Sequence, residues 1–236
     1  MRVVIQRGSG KAGKRVSLDE SETHHLRVRR ARVGEPVEIL DGAGLNATGR
    51  LVQTDRKWLV EIGTADQEPP PPELVLAIGA GDRERFFWLV EKSVELGVTE
   101  IIPLETGHTA GVSSRIKQNH LARLRRSSLE ALKQCGSRWV PAIDELVSLH
   151  TFLQRPRSGL RWLAEISGTA PPSELDSQPL TILVGPEGGF TEDERKAIID
   201  VGYQSVTFGA HTLRFETAAI AAAAAAGQAR LRGVHG

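Results

Sequence analysis

The sequence predicts two domains of different class: a small β-barrel over residues 1–68 and an α/β domain with a mostly parallel sheet over residues 73–236. Three observations lead there. Four consecutive prolines, Pro69–Pro72, can continue neither a helix nor a central strand, and they mark a linker. Before them, short β-prone runs are separated by Gly- and Asp-containing turns. After them, strand-length apolar runs alternate with helix-length segments, as in a layered α/β fold.

In the first part, strands are expected at Val3–Ile5, Val37–Leu40, Asn46–Val52 and Trp58–Ile62, with turns at Asp41–Gly44 and Thr54–Lys57. A helical patch, Ser21–Arg32, interrupts them. In the second part, strand Glu73–Ile78 leads into a helix over Arg83–Leu96, closed by Gly97 as a left-handed cap. Strand Thr99–Leu104 follows. The next helix, Gln118–Gln134, places Leu121, Leu124, Ser128 and Leu132 on one stripe and closes at Gly136. Further strands are expected at Leu160–Ile166, Leu180–Val184 and Ser205–Phe208. Thr191 with Glu194 is a capping box that starts a helix running to Val201. The last helix spans Thr217–Leu231. Its run Ala221–Ala226 favours helix strongly, and its small side chains would also admit a second helix, as at a dimer interface.

Bulk properties narrow the function. The net charge is +1, so a nucleic-acid surface must come from local clustering. One cysteine, Cys135, excludes an internal disulfide and a multi-cysteine zinc site. The pair His24-His25 has no partner at metal-ligand spacing, so no metal is expected. The longest apolar stretch, Ala218–Ala226, is far short of the roughly 20 residues of a membrane helix, and no apolar signal core opens the chain. No membrane partner and a cytoplasmic location are expected.

Two strand ends open into small-residue loops. Leu180–Val184 breaks at Gly185-Pro186-Glu187-Gly188-Gly189, and Val206–Phe208 breaks at Gly209. Such corners expose main-chain groups in the crevice where an open α/β sheet holds ligands. The glycines could also form only a turn into the helix at Thr191. Leu213–Thr217 places Arg214 and Glu216 just before a helix; either Glu216 merely favours the helix dipole or both residues face the crevice. Gly79-Ala80-Gly81 also follows a strand, but Glu84 at the third glycine position of a dinucleotide fingerprint would repel a pyrophosphate. Arg27, Arg29, Arg30 and Arg32 cluster behind His25; a second basic cluster includes Arg115, Lys117, Arg123, Arg125 and Arg126. Both lean towards phosphate contact.

Taken together, Leu183–Thr191 and Leu213-Arg214-x-Glu216-Thr217-Ala218 resemble the ribosomal RNA small subunit methyltransferase E family of the SPOUT superfamily. So do His24–Arg30 with Gly34 and Asp41–Gly44, and Glu91–Val98 with Ile101–Leu104; the likeness covers nearly the whole chain. The resemblance implies an N-terminal PUA-like RNA-binding barrel over 1–68 and a trefoil-knotted methyltransferase domain over 73–236. It further implies a homodimer that uses S-adenosylmethionine to methylate N3 of a uridine in 16S ribosomal RNA of the small ribosomal subunit. Carried over residue by residue, the cofactor cradle comprises Glu165, Val184, Gly185, Gly188, Gly189, Gly209 and Leu213. Arg214 and Glu216 are the catalytic candidates. His25, Arg27, Arg29, Arg30, Arg126 and Arg138 are the RNA-binding candidates. The chain departs from the family pattern at Ala80, where a Lys is usual, at His108 and Ser137, where Arg is usual, and at Phe215, where Thr is usual. Those departures remove basic groups from the RNA-facing side and leave open another ribosomal or transfer RNA target, or an RNA-binding protein without catalysis.

Overall fold

The computed structural model describes residues 1–55, 57–109 and 115–233; Arg56 of the expected Thr54–Lys57 turn lies outside them. The described chain divides into two compact units, Met1–Pro71 with Leu129–Val140, and Pro72–Ser128 with Pro141–Gly236.

The first unit contains β1 (Arg2–Val4), β2 (Arg15–Ser17), α1 (Glu20–Val28), β3 (Pro36–Leu40), β4 (Leu45–Thr54) and β5 (Lys57–Gln67). Its five-stranded sheet has the order β1-β3-β4-β5-β2. The β1–β3 pair is parallel, and the other ladders are antiparallel. Along β5, Trp58, Val60 and Ile62 are buried while Lys57 and Glu61 are exposed, the two-residue period of a sheet with one apolar face. Those residues close on Val3, Leu26 and Ile39 to form the core. Helix α1 is shorter than its sequence suggests. Asp19 caps it, accepting from the Glu22 N–H at 2.8 Å, and it ends because Arg30 takes a left-handed φ of 53°.

Leu129–Val140 groups with this first unit although it lies far along the chain. Charge explains part of that grouping. Lys133 Nζ sits 2.7 Å from Glu22 Oε1, and Arg138 Nη2 sits 2.6 Å from Glu38 Oε1. Arg2 adds a hydrogen bond of 2.9 Å to the Lys133 carbonyl. None of these long-range partners is visible in local sequence pattern.

The second unit holds β6 (Leu74–Gly79), α2 (Arg83–Glu95), β7 (Glu100–Glu105), most of α3 (Leu121–Cys135), β8 (Ala142–Ile143), β9 (Val147–Ser148) and α4 (Leu149–Leu153). It continues with β10 (Leu160–Thr169), β11 (Leu180–Val184), α5 (Glu192–Asp200), β12 (Gln204–Val206) and α6 (Phe215–Gly233). The order β12-β10-β11-β6-β7-β8, with β9 also on β7, makes a seven-stranded sheet. Every ladder in it is parallel. Both faces are covered, which is why β6 and β11 are buried at every position and lack alternation. Leu74, Leu76 and Ile78 of β6 face a core shared with Phe86 and Leu89 of α2. Val75 and Ala77 face Phe152 of α4 and Ile198 of α5.

The alanines of α6 serve this packing. Ala219, Ala222, Ala223, Ala226 and Ala229 are all buried in the core that contains α2, so the small side chains admit a helix of the same chain. Arg230 anchors the other end of α6 by donating to the carbonyls of Pro72, Glu73 and Gln178. The elements absent from the expected set, β2, β8, β9 and α4, span only two to five residues each, too short for a periodic signal.

Candidate active site

A parallel sheet brings its C-terminal strand ends to one edge, and three of them surround a cleft of about 550 Å³. β10 lies between β11 and β12, and its register against β12 breaks between Ala164 and Thr169. That break turns Glu165 and Ile166 into the cleft. The loop after β11 contributes Gly185, Pro186, Glu187, Gly189 and Phe190, and the loop after β12 contributes Thr207–Gly209 and His211–Arg214. The cleft therefore gathers six of the seven expected cradle residues: Glu165, Val184, Gly185, Gly189, Gly209 and Leu213. Gly188 lies on the same loop but against His108; a Cβ there would stand 3.0 Å from the His108 Cβ. Gly189 has a φ of 69°, which favours glycine. Its carbonyl accepts from His108 Nδ1 at 3.0 Å.

Glu187, in the middle of that loop, ties it to the loop after β6. Its carboxylate pairs with Arg115 and accepts from the Asp82 N–H at 3.1 Å. Gly79 and Gly81 find their use here. A Cβ on Gly79 would stand 2.6 Å from the Pro186 nitrogen, and one on Gly81 would stand 2.6 Å from the Phe215 ring. These glycines permit close packing beneath the cleft, which is the positive reason that a dinucleotide fingerprint is not needed to explain them.

Glu165 is held firmly. Arg195 donates to its two oxygens at 2.5 and 3.2 Å, and Ser205 Oγ donates at 2.6 Å. Partial burial pushes the carboxyl up, but the hydrogen bonds from Arg195 and Ser205, with the Arg195 charge, outweigh it and hold it below its ordinary value. A folded carboxyl that titrates below its unfolded counterpart contributes stability that is full above the unfolded value and lost as pH falls through the folded one. Wild type should therefore melt above Glu165→Gln at neutral pH, with the difference shrinking as acid is added through the carboxylate range. Melting temperature against pH for both proteins measures this; a difference that stayed constant would contradict it. Arg195 and Ser205, absent from the expected residues, are brought to Glu165 only by the fold.

The two catalytic candidates are placed differently. Arg214 lines the cleft and is exposed, with no side-chain hydrogen bond or ion pair among the described residues. Glu216 is 6% exposed, does not line the cleft, and faces Arg85 Nε at 3.8 Å instead of Arg214. One of its oxygens, Oε2, is buried without a hydrogen-bond partner among the described residues. Among those residues no group of three or more His, Cys, Asp or Glu is placed to hold a metal ion, and no helix is long and apolar enough to cross a membrane.

A family model described as the RNA methyltransferase domain matches residues 68–227, and one described as the RNA methyltransferase PUA domain matches residues 18–61. The ribosomal RNA small subunit methyltransferase E of Rickettsia conorii is 30% identical over 168 residues, 69% of this chain and 66% of that protein. Its namesake from Synechocystis is 29% identical over 224 residues, 86% of this chain and 69% of that protein. A crystal structure of a ribosomal RNA small subunit methyltransferase E from Neisseria gonorrhoeae, bound to S-adenosyl methionine, matches with a TM-score of 0.83. It is 29% identical and covers 95% of each chain. The chain belongs to the ribosomal RNA small subunit methyltransferase E family.

As a member of the ribosomal RNA small subunit methyltransferase E family it has a PUA domain in its N-terminal part, followed in sequence by a parallel α/β domain. On the first unit, Arg27, Arg29 and Arg30 follow one another around the end of α1, all exposed, and His25 is half-buried beside them. Their side chains make no ion pair among the described residues, and neither does the exposed Arg126 of α3. Arg138 differs. Its side chain is 16% exposed and its charge faces Glu38 and Glu68, so it is committed within the first unit.

The departures from the ribosomal RNA small subunit methyltransferase E pattern have local explanations. Ala80 is 2% exposed, and its N–H donates to the Leu104 carbonyl at 2.7 Å. Phe215 is buried, stacks on Phe86 at 6.4 Å between centroids and fills the space above Gly81. Ser137 donates to the Trp139 carbonyl at 2.9 Å. His108 braces the glycine loop as described.

Proposed function

We propose that this protein transfers the methyl group of S-adenosylmethionine to N3 of a uridine in 16S ribosomal RNA, as a cytoplasmic homodimer acting on the small ribosomal subunit. The observation that carries this reading is the cleft between the loops after β11 and β12, in a chain similar over 95% of its length to a family member bound to that cofactor. The cleft's residues fit the cofactor. Its volume lies within the range of small-molecule sites. A side chain on Gly185 would crowd Gly189 and the Phe190 ring at 3.3 Å, and one on Gly209 would crowd Leu213 at 3.3 Å. Bare main chain therefore forms part of the walls, at Gly185 and Gly209.

Val184, Gly185, Gly189, Gly209 and Leu213 would hold the cofactor, Glu165 would stand at the rim near its ribose, and Gly188, set against His108, would only shape the loop. When bound, the cofactor supplies an electrophilic methyl carbon on a sulfonium. The chain's own work is to align the uracil nitrogen with that carbon, which supplies much of the barrier reduction in favourable cases. The uracil N3–H is a weak acid, so the site must also stabilise the anion left when its proton departs. Arg214, exposed in the cleft with its charge uncommitted among the described residues, suits that role. Glu216 is a positioning residue in this reading, setting the start of α6 through Arg85. Arg27, Arg29, Arg30, His25 and Arg126 would contact RNA phosphates, whereas Arg138 would serve the first unit's own structure.

The implied trefoil knot and homodimer belong to the same proposal. Trp88 on α2 is 48% exposed, and α2 packs with α6; a second copy would cover that apolar surface. The loss of a cation at the buried Ala80 favours, as a second reading, methylation of a different RNA site. Calorimetric binding of S-adenosylmethionine and mapping of modified nucleotides in ribosomal RNA from a deletion strain test both. A missing methyl at a 16S uridine N3 supports the first reading, a missing methyl elsewhere supports the second, and no missing methyl overturns both.

A further inference from the structure

The proposed reaction needs an acceptor for the N3 proton, and the cleft limits the choice. Six ionisable side chains line it: Glu165, Glu187, Glu192, Arg195, His211 and Arg214. Both arginines stay protonated and accept nothing. Glu165 is taken by Arg195 and Ser205. Glu187 is taken by Arg115 and the Asp82 N–H. Glu192 lies in the first turn of α5, and a carboxylate is a roughly hundredfold weaker base than an imidazole. His108, although near, uses Nδ1 on the Gly189 carbonyl and does not line the cleft. His211 remains. It is exposed on the loop after β12, lines the cleft and has no side-chain hydrogen bond among the described residues.

We propose that His211 is the general base that takes the N3 proton of the target uridine, while Arg214, on the same loop, stabilises the resulting anion. The inference rests on the uridine-N3 reading above. The electron pair of the N3–H bond stays on nitrogen and forms the N3–CH₃ bond. The C–S bond of S-adenosylmethionine breaks with its pair passing to sulfur, and the proton goes to the imidazole and then to water. The products are N3-methyluridine, S-adenosylhomocysteine and one proton. A short loop with a base and a cation on either side of Leu213 would thus act on one imide at two atoms, nitrogen and carbonyl oxygen. The other charged groups that line the cleft with His211 are Glu165 from β10, Glu187 from the loop after β11, Glu192 and Arg195 from α5, and Arg214 from its own loop.

The test uses the full chain with small ribosomal subunits from the deletion strain and labelled S-adenosylmethionine. Single-turnover methyl transfer is measured for wild type, His211→Ala, His211→Gln and Glu192→Gln, with cofactor affinity for each by calorimetry. General-base removal should slow transfer by about 10²–10⁴-fold in both His211 variants, with cofactor affinity within a few-fold and a smaller loss in Glu192→Gln than in either. Added imidazole should restore His211→Ala in proportion to its free base and leave wild type unchanged, an effect that a merely structural role would not produce. Transfer by His211→Ala at the wild-type rate overturns the proposal. So does a loss confined to Glu192→Gln, which makes that carboxylate the base, or a loss in His211→Ala that imidazole does not restore. A wild type that binds cofactor but methylates no uridine N3 refutes the underlying reading, and the proposal with it; that failure is seen before any variant is compared.

Discussion

Arg214→Ala is expected to lower methyl transfer by about 10²–10³-fold, the scale of losing one preorganised group from a site of developing charge. Cofactor affinity should stay within a few-fold, because the glycine-lined parts of the cleft at Gly185, Gly189 and Gly209 are untouched by the change. The separation of the two effects is the informative part. Arg214 lines the cleft without contributing an ion pair among the described residues, so its removal should leave the melting temperature nearly unchanged. Single-turnover transfer and calorimetric titration of the same preparation measure both quantities. Turnover at the wild-type rate would remove Arg214 from the chemistry, and a collapse of cofactor affinity would make it a binding residue instead.

Gly79→Ala should damage the site from beneath. The added methyl would stand 2.6 Å from the Pro186 backbone nitrogen, and backbone cannot rotate aside as a flexible side chain would. Pro186 belongs to the loop that Glu187 pins to Asp82 and Arg115, so relief must come from moving the cleft wall or the end of β6. Overpacking of this kind costs about 1–3 kcal/mol, and both cofactor affinity and thermal stability should fall. Gly227→Ala provides the contrast. Gly227 lies in α6, where an added Cβ would meet nothing within 4 Å, and an alanine in a helix interior is favoured over glycine by about 0.8–1.0 kcal/mol. That variant should melt slightly above wild type with transfer unchanged. Equal responses from the two variants would contradict the packing argument.

Legibility in the sequence followed the range of the interaction. The capping box of Thr191 with Glu194 is present as read, with Glu194 N–H to Thr191 Oγ1 at 3.2 Å and Thr191 N–H to Glu194 Oε2 at 2.9 Å, because all its atoms lie within one helical turn. Strand β11 runs from Leu180 to Val184 as expected, since a wholly buried strand shows itself as an unbroken apolar run. Strand β12 ends at Val206, two residues before its expected end; Thr207 and Phe208 line the cleft instead. Their apolar and branched character fits a strand and a binding wall equally well, so composition gave no warning. The alanine run Ala221–Ala226 is equally ambiguous between a packed helix within the chain and one across an interface, and burial in the core with α2 accounts for three of its alanines, Ala222, Ala223 and Ala226.

By itself, the order of residues determined where most of the longer strands and helices lie, that two glycine-containing corners follow two of those strands, and that basic residues gather behind His25. Each rests on neighbours a few bonds apart, whose sterics and hydrogen bonds are encoded locally. Only the tertiary structure decided that β10 lies between β11 and β12, so that both corners open into one cleft. It alone also decided which charges are paired: Glu165 with Arg195, Glu187 with Arg115, Glu216 with Arg85 and Arg138 with Glu38. Those pairings depend on through-space Coulomb attraction and desolvation between residues dozens of positions apart, and among the described residues they leave Glu192, His211 and Arg214 uncommitted in the cleft.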